Sequence, residues 1–267
     1  MASLGNCSDR TVVEIGPGRG AITRELAAKA GRVVAIEVDR ELAARLASEF
    51  AMKGAGGELD GADRSNVSVK TVDVLSFDFE AASAAAGQRL VVVGNLPYYI
   101  TSPILLKLAE HAGVLDRAVL MVQREVADRV IAAPGSRDFG VLSATVQMHG
   151  SVERLFTLPP SAFSPPPEVY STVFRWRFAP RFEELGVDRD EFLSFLRQVF
   201  ALKRKTLANN LRAGGTDAAI VAAALFEAGI DPKARAESLE VEMLAALWKW
   251  LKRAGATPPN EVAPAVI

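Results

Sequence analysis

The 267-residue chain contains one cysteine, Cys7, and two histidines. A lone thiol cannot close an internal disulfide. So few cysteines and histidines leave no ligand set for a structural zinc, so no metal is expected. No apolar run reaches the length that spans a bilayer, so no membrane contact is expected. The opening residues, Met-Ala-Ser-Leu-Gly-Asn-Cys, lack the basic region and apolar core of a signal peptide. These absences predict a cytoplasmic protein in a compartment that keeps thiols reduced. Surplus charge is lacking too. A net charge of −1 and a pI near 6.2 argue against broad electrostatic capture of nucleic acid, though not against a local basic face. No internal repeat is present.

What the chain does have is alternation. Residues 11–15, 33–37, 67–72, 89–93 and 117–122 are short β-branched or apolar runs that read as strands. Helical patterns at 21–30, 40–52, 102–110 and 123–132 lie between or after them. Strands alternating with helices predict an α/β domain, with a parallel sheet covered by helices on both faces. Residues 53–65, rich in Gly, Asp and Ala, read as a surface loop. Beyond Gly135 a short helix is expected over 139–148, then strands at 152–158 and 171–178 around the proline-rich loop 159–167. Helices are expected at 188–201, 203–212, 216–228 and 237–253. The domain reading is therefore 1–180 for the sheet domain and 181–255 for a small all-α domain, with 256–267 as a disordered tail.

The chemistry gathers at strand ends, where open parallel sheets bind ligands. Glu14-Ile-Gly16-Pro-Gly18-Arg-Gly20 follows the first strand, and Glu37 ends the second. An acid there can accept both hydroxyls of a ribose. A dinucleotide site looks similar. However, G-P-G-x-G lacks the last glycine spacing of the phosphate-binding fingerprint, and Pro17 removes a backbone donor that a pyrophosphate would need. A cofactor without phosphates fits better, and S-adenosylmethionine is one. Asp73 ends the third strand, where it can serve as a helix cap or as an acceptor for an adenine amino group. Asn95 ends the fourth, inside Gly94-Asn-Leu-Pro-Tyr-Tyr-Ile-Thr101. That stretch is either an ordinary turn or a binding turn with an amide acceptor and a stacking ring. Further along, Arg197, Lys203, Arg204, Lys205 and Arg212 stand in a span of 16 residues with no acid, 197–212. They read as a phosphate-contacting face or as a solvated one. Arg124, with Arg129 and Arg137, makes a second basic group.

Seven motifs occur in one order: Glu14-Ile-Gly-Pro-Gly, Glu37, Val72-Asp-Val74, Gly94-Asn-Leu-Pro-Tyr, Gln123-Arg-Glu-Val, Ser161-Ala-Phe-Ser-Pro-Pro-Pro-Glu-Val and Lys203-Arg-Lys-Thr-Leu-Ala-Asn-Asn-Leu. In this the chain resembles the KsgA family of small-subunit ribosomal RNA adenine dimethyltransferases, over 11–252. The related Erm methyltransferases share the first four, whereas the Ser161 loop and the Lys203 stretch are more similar to KsgA. The resemblance implies a Rossmann-like, S-adenosylmethionine-dependent methyltransferase sheet. It implies dimethylation at N6 of two adjacent adenosines near the 3′ end of 16S rRNA in a ribosomal particle, with a role in small-subunit biogenesis. Carried over, Gly16 lies against the cofactor's amino-acid part, and Glu14 and Gly18 count among the cofactor-binding residues. Glu37 binds its ribose, Asp73 its adenine amino group, with Val74 also cofactor-binding, and Asn95 bridges cofactor and target base. The side-chain oxygen of Asn95 and the carbonyl of Leu96, stiffened by Pro97, would accept the two N6 hydrogens. Tyr98 and Phe163 would stack on the flipped ring. A monomer is expected.

The family has further residues ahead of the first strand, with a Gly-Gln-Asn/His-Phe-Leu segment that is not found here. A weaker cofactor cover is expected from that. One alternative is therefore an assembly factor that binds immature subunits with little transfer. A small-molecule methyltransferase is the other.

Overall fold

In the computed structural model the described residues are 2–52 and 66–256. The expected surface loop at 53–65 and almost all of the expected tail lie outside them. The chain divides into two compact units, Met1–Ala127 with Ser151–Ala179, and Asp128–Gly150 with Pro180–Ile267.

The first unit is built on a seven-stranded sheet. In chain order it runs β1 (Cys7–Ile15), α1 (Ala21–Ala27), β2 (Ala30–Glu37), α2 (Arg40–Met52), β3 (Val67–Thr71), α3 (Phe79–Ala86), β4 (Leu90–Asn95), α4 (Thr101–Glu110) and β5 (Leu115–Gln123). The chain then passes through α5 (Arg124–Ile131) and α6 (Val141–Met148). It returns as β6 (Gly150–Leu158) and β7 (Ser171–Phe178). The strand order is β3-β2-β1-β4-β5-β7-β6. Strands β1 to β5 pair in parallel and β7 joins β5 antiparallel. The order reverses between β1 and β4, so a crevice opens beyond their carboxyl ends.

Burial explains the strands. Val12, Val33, Val91 and Val93 pack with Leu26 of α1 on one face. β-Branched side chains at alternate positions suit a pleated surface covered by a helix. The register of β1 on β2 slips between Cys7 and Thr11. There Gly31 passes so close that a Cβ would stand 2.9 Å from the Ser8 carbonyl oxygen. Helix α3 is absent from the sequence-based expectation. Asp78 caps it by accepting the Ala81 N–H at 2.8 Å, and Gly87 ends it at φ 64°.

The second unit is helical: α6, α7 (Phe182–Leu185), α8 (Arg189–Val199), α9 (Leu207–Ala213), α10 (Ala218–Glu227) and α11 (Val241–Arg253). Its core takes in Phe139, Ala144 and Met148 as well as Phe192, Leu207 and Trp248. Residues between 132 and 148 therefore contribute to the core of the C-terminal helices. Helix α9 begins at Leu207, not at 203 as expected from the sequence. Thr206 caps it, accepting the Asn209 N–H at 3.3 Å. The buried side chain of Asn210 accepts the Leu202 N–H at 2.8 Å and donates to the Leu202 and Thr206 carbonyls. Those bonds hold 202–206 as a loop.

His149, at the end of α6, is 2% exposed. Nδ1 meets the Thr145 carbonyl at 2.7 Å, and the ring packs edge-on to Phe182. Burial, more than the carbonyl contact and the nearby Arg189 charge, sets its pKa, pulling it down to about 4. The folded state thus binds fewer protons than the unfolded one below the ordinary imidazole value of 6.5. Stability is full above about pH 6.5 and falls as pH drops towards 4, by about 3 kcal/mol. Urea melts should show this loss in wild type and a flatter pH profile in His149→Gln. Equal profiles would remove His149 as the cause.

Candidate active site at the carboxyl ends of the strands

The parallel strands put their ends side by side, and backbone bonds tie those ends together. The Gly16 N–H donates to the Ile36 carbonyl at 2.9 Å, and Val72 N–H to the Glu37 carbonyl at 3.0 Å. Ile15 pairs with Gly94, so Gly16 leaves β1 beside Asn95. Gly16 has φ 67°, and a Cβ there would come within 3.9 Å of the Asn95 carbonyl oxygen. The left-handed backbone is what calls for glycine in this turn, since 3.9 Å is an ordinary van der Waals contact.

Glu37 is 7% exposed. Its carboxylate accepts the Gly18 N–H at 3.0 Å and the Asp39 N–H at 3.1 Å. The acid thus pins the glycine loop, a second task that the sequence does not announce. Glu14 is buried behind it. Burial is the main cause that pushes its carboxyl up to about 7. The Thr23 hydroxyl works against this and the Glu37 charge adds to it. Thr23 lies close to Glu14 but makes no hydrogen bond of good geometry. Asp73 is exposed, and one of its oxygens accepts the Leu75 N–H at 2.9 Å. The cap reading is thus realised for one oxygen. Val74 beside it is buried.

Asn95 is exposed at the end of β4, whereas Leu96 is 1% exposed. The Leu96 N–H donates to the Met121 carbonyl at 2.9 Å. The Pro97 carbonyl accepts from Ile100 N–H and from the Thr101 hydroxyl at 3.0 Å. A turn braced at both ends is more than a connection, because it fixes the backbone from which the Asn95 side chain projects. Tyr98 is 40% exposed and its hydroxyl lies 3.3 Å from Ser171 Oγ on β7. Sequence reasoning missed Ser171 and Thr101. Thr101 could have been suspected, since a threonine four residues after a proline can back-bond its carbonyl. Phe163 is half-buried, its N–H bound to the Pro160 carbonyl at 3.1 Å. Among the described residues no ring contact joins it to Tyr98. Beside Asn95 a cavity of about 320 Å³ opens over the sheet, walled by Leu4, Ile22, Met121 and Phe156.

These residues fit S-adenosylmethionine. The cradle presents Glu37 and Asp73, with Glu14 buried behind them, and acids so placed suit a cationic ligand and oppose a pyrophosphate. Pro17 offers no N–H to a phosphate, and the Gly18 N–H is already taken by Glu37.

The basic residues divide between the units. The exposed Arg124 lies over the Tyr170 ring at 5.2 Å, with its N–H on the Tyr170 carbonyl at 2.9 Å. In the second unit Lys203, Arg204 and Lys205 are exposed on the loop, and Arg204 has φ 68°. Arg197 lies in the last turn of α8. Arg212 is turned back onto Ala208 and Asn209 of its own helix. Among the described residues no helix is long and apolar enough to cross a membrane.

A family model described as ribosomal RNA adenine dimethylase matches residues 5–253. The chain is 57% identical over 252 residues to ribosomal RNA small subunit methyltransferase A of Acidobacterium capsulatum, covering 94% of this chain and 85% of that protein. It is 44% identical over 264 residues to the protein of the same name from Koribacter versatilis, covering 95% and 88%. A solved dimethyladenosine transferase from Plasmodium falciparum is similar with a TM-score of 0.77 at 23% identity, covering 95% of this chain and 94% of that one. The 23S rRNA methyltransferase ErmE is similar with a TM-score of 0.68 at 24% identity, covering 94% of each. At those identities the two structures speak to the fold alone.

Proposed function

The chain belongs to the ribosomal RNA adenine dimethylase family, and from that premise we propose that it dimethylates N6 of two adjacent adenosines near the 3′ end of 16S rRNA. Its fold is the Rossmann-like sheet of S-adenosylmethionine-dependent methyltransferases with an added helical unit. On this reading it works as a cytoplasmic monomer on a ribosomal particle. The observation that carries the proposal is the exposed Asn95, held beside Gly16 by a turn braced at Leu96 and Pro97.

Bound S-adenosylmethionine supplies a methyl group already activated by its sulfonium. Glu14, Gly16 and Gly18 would face its amino-acid part, Glu37 its ribose, and Asp73 with Val74 its adenine. The rest falls to the target side. An exocyclic amine is a poor nucleophile because its lone pair is spread into the ring. The Asn95 amide oxygen and the Leu96 carbonyl take its two hydrogens and turn the lone pair out of the ring plane. Tyr98 and Phe163 hold the flipped base by stacking. No basic side chain needs to remove the proton before attack, so positioning carries most of the rate. Arg124, Arg197, Lys203, Arg204, Lys205 and Arg212 are assigned to RNA phosphates, and the loop residues are the best presented of them.

The test is to incubate the protein with S-adenosylmethionine and undermethylated small subunits and to look for dimethyladenosine by mass spectrometry. Two methyls on each of two neighbouring adenosines are expected. Subunit binding without any methyl product would replace this reading with that of an assembly factor.

A further inference from the structure

One group in the site has no assigned partner. Glu14 is 1% exposed, two residues before the glycine turn, and among the described residues its Oε2 has no hydrogen-bond partner. A buried acceptor left unpaired is costly, and native sites rarely leave one without reason. Among the described residues its neighbours supply no cation. Across the sheet it faces Ala35 on β2 and Val93 on β4. On α1, Thr23 lies against it, while Arg24 and Glu25 are exposed and engaged with Glu49 and Lys29. On β2, Arg32 is exposed. The charged group that bears on Glu14 is another acid, Glu37. Two carboxylates so placed do not both ionise easily in a buried site unless a cation joins them.

We propose that Glu14 is a proton-releasing counter-charge for the cofactor: protonated in the free protein, it ionises when the cationic amino-acid part of S-adenosylmethionine enters. The inference rests on the reading of this crevice as the S-adenosylmethionine site. The balance is simple. The Glu14 carboxylic acid loses one proton to solvent, and its carboxylate then faces the ammonium and sulfonium charges. No bond of the cofactor changes in this step. Binding thereby becomes linked to pH. A free carboxyl titrating near 7 and a bound one in the ordinary range release nearly one proton at about pH 5.5, and about half a proton at about pH 7. Affinity tightens roughly tenfold over the same interval. The whole interval lies below the range where an α-amino group of the ligand loses its own charge, about 7.7.

Isothermal titration of the full chain with S-adenosylmethionine, in buffers of different ionisation enthalpy, counts the protons directly. Wild type should release them as stated. Glu14→Gln should release none and bind with a flat pH profile. Glu14→Asp should restore part of the release. A carbon-13 carboxyl titration of wild-type Glu14, free and bound, reads the same change without any variant. Tight binding by wild type with no proton release and no shift of that carboxyl would overturn the proposal and leave the site reading intact. Failure of the folded wild type to bind S-adenosylmethionine would remove both.

Discussion

Asn95→Ala should leave a protein that melts like wild type and methylates about a thousandfold more slowly, a loss of about 4 kcal/mol in the transition state. The two halves of that expectation have separate grounds. Stability should hold because the Asn95 side chain is exposed at a strand end, and the local fold is carried by others. The buried Leu96 N–H holds to Met121, and the Pro97 carbonyl takes the Ile100 N–H and the Thr101 hydroxyl. Activity should fall because, on the proposed role, the amide oxygen is the side-chain acceptor for the target amine. Without it one N6 hydrogen has no acceptor, and the nitrogen lone pair relaxes into the ring. A misplacement of about an ångström at a reacting centre can cost a hundredfold by itself. Single-turnover methylation with saturating subunits isolates this step from binding. Asn95→Asp keeps an acceptor but adds charge, so it should retain more activity than the alanine variant. A rate for Asn95→Ala within tenfold of wild type would show that another group orients the amine.

Strand ends were legible because their chemistry is local. A β-branched run followed by Gly16, Glu37, Asp73 or Asn95 marks where a strand stops and a polar group begins. In a parallel sheet those ends must lie together. The structure aligns them by the register of Ile15 with Gly94 and of Glu37 with Thr71. Less legible were the bonds that cross long stretches of sequence. Nothing near Glu37 shows that it holds the Gly18 N–H, and nothing near Tyr98 points to Ser171. Helix α3 was missed although its cap and its terminal glycine are both local signals. Its alanine-rich body carries little of the apolar periodicity that marks an amphipathic helix. The allocation of 128–150 to the helical unit could not be read at all. It depends on Phe139 and Met148 finding a core with residues that lie far along the chain.

At Lys203 to Lys205 a helix expected from the sequence gives way to a loop, which changes how the cations are presented. On a helix, three successive cations would point in different directions round the axis. As a loop they project from a short segment whose ends are tied by Asn210. Arg204 sits at φ 68°, a backbone conformation that costs a non-glycine residue about 1 kcal/mol. Strain of this kind persists where surrounding bonds over-determine it, and such sites cluster at functional loops. Replacing all three residues by alanine should therefore weaken subunit binding about a hundredfold at about 0.1 M salt, and lower the salt dependence by about two counterions. The melting point should barely change, since all three side chains are exposed. Arg204→Gly relieves about 1 kcal/mol of backbone strain but loosens the unfolded chain by a similar amount, so stability should stay within about 0.5 kcal/mol of wild type while the salt slope falls by about one. Filter binding of small subunits across a salt series checks both. If the triple variant kept the wild-type salt slope, the loop would be a solvated surface, and the RNA contacts would have to be sought at Arg124 and Arg197.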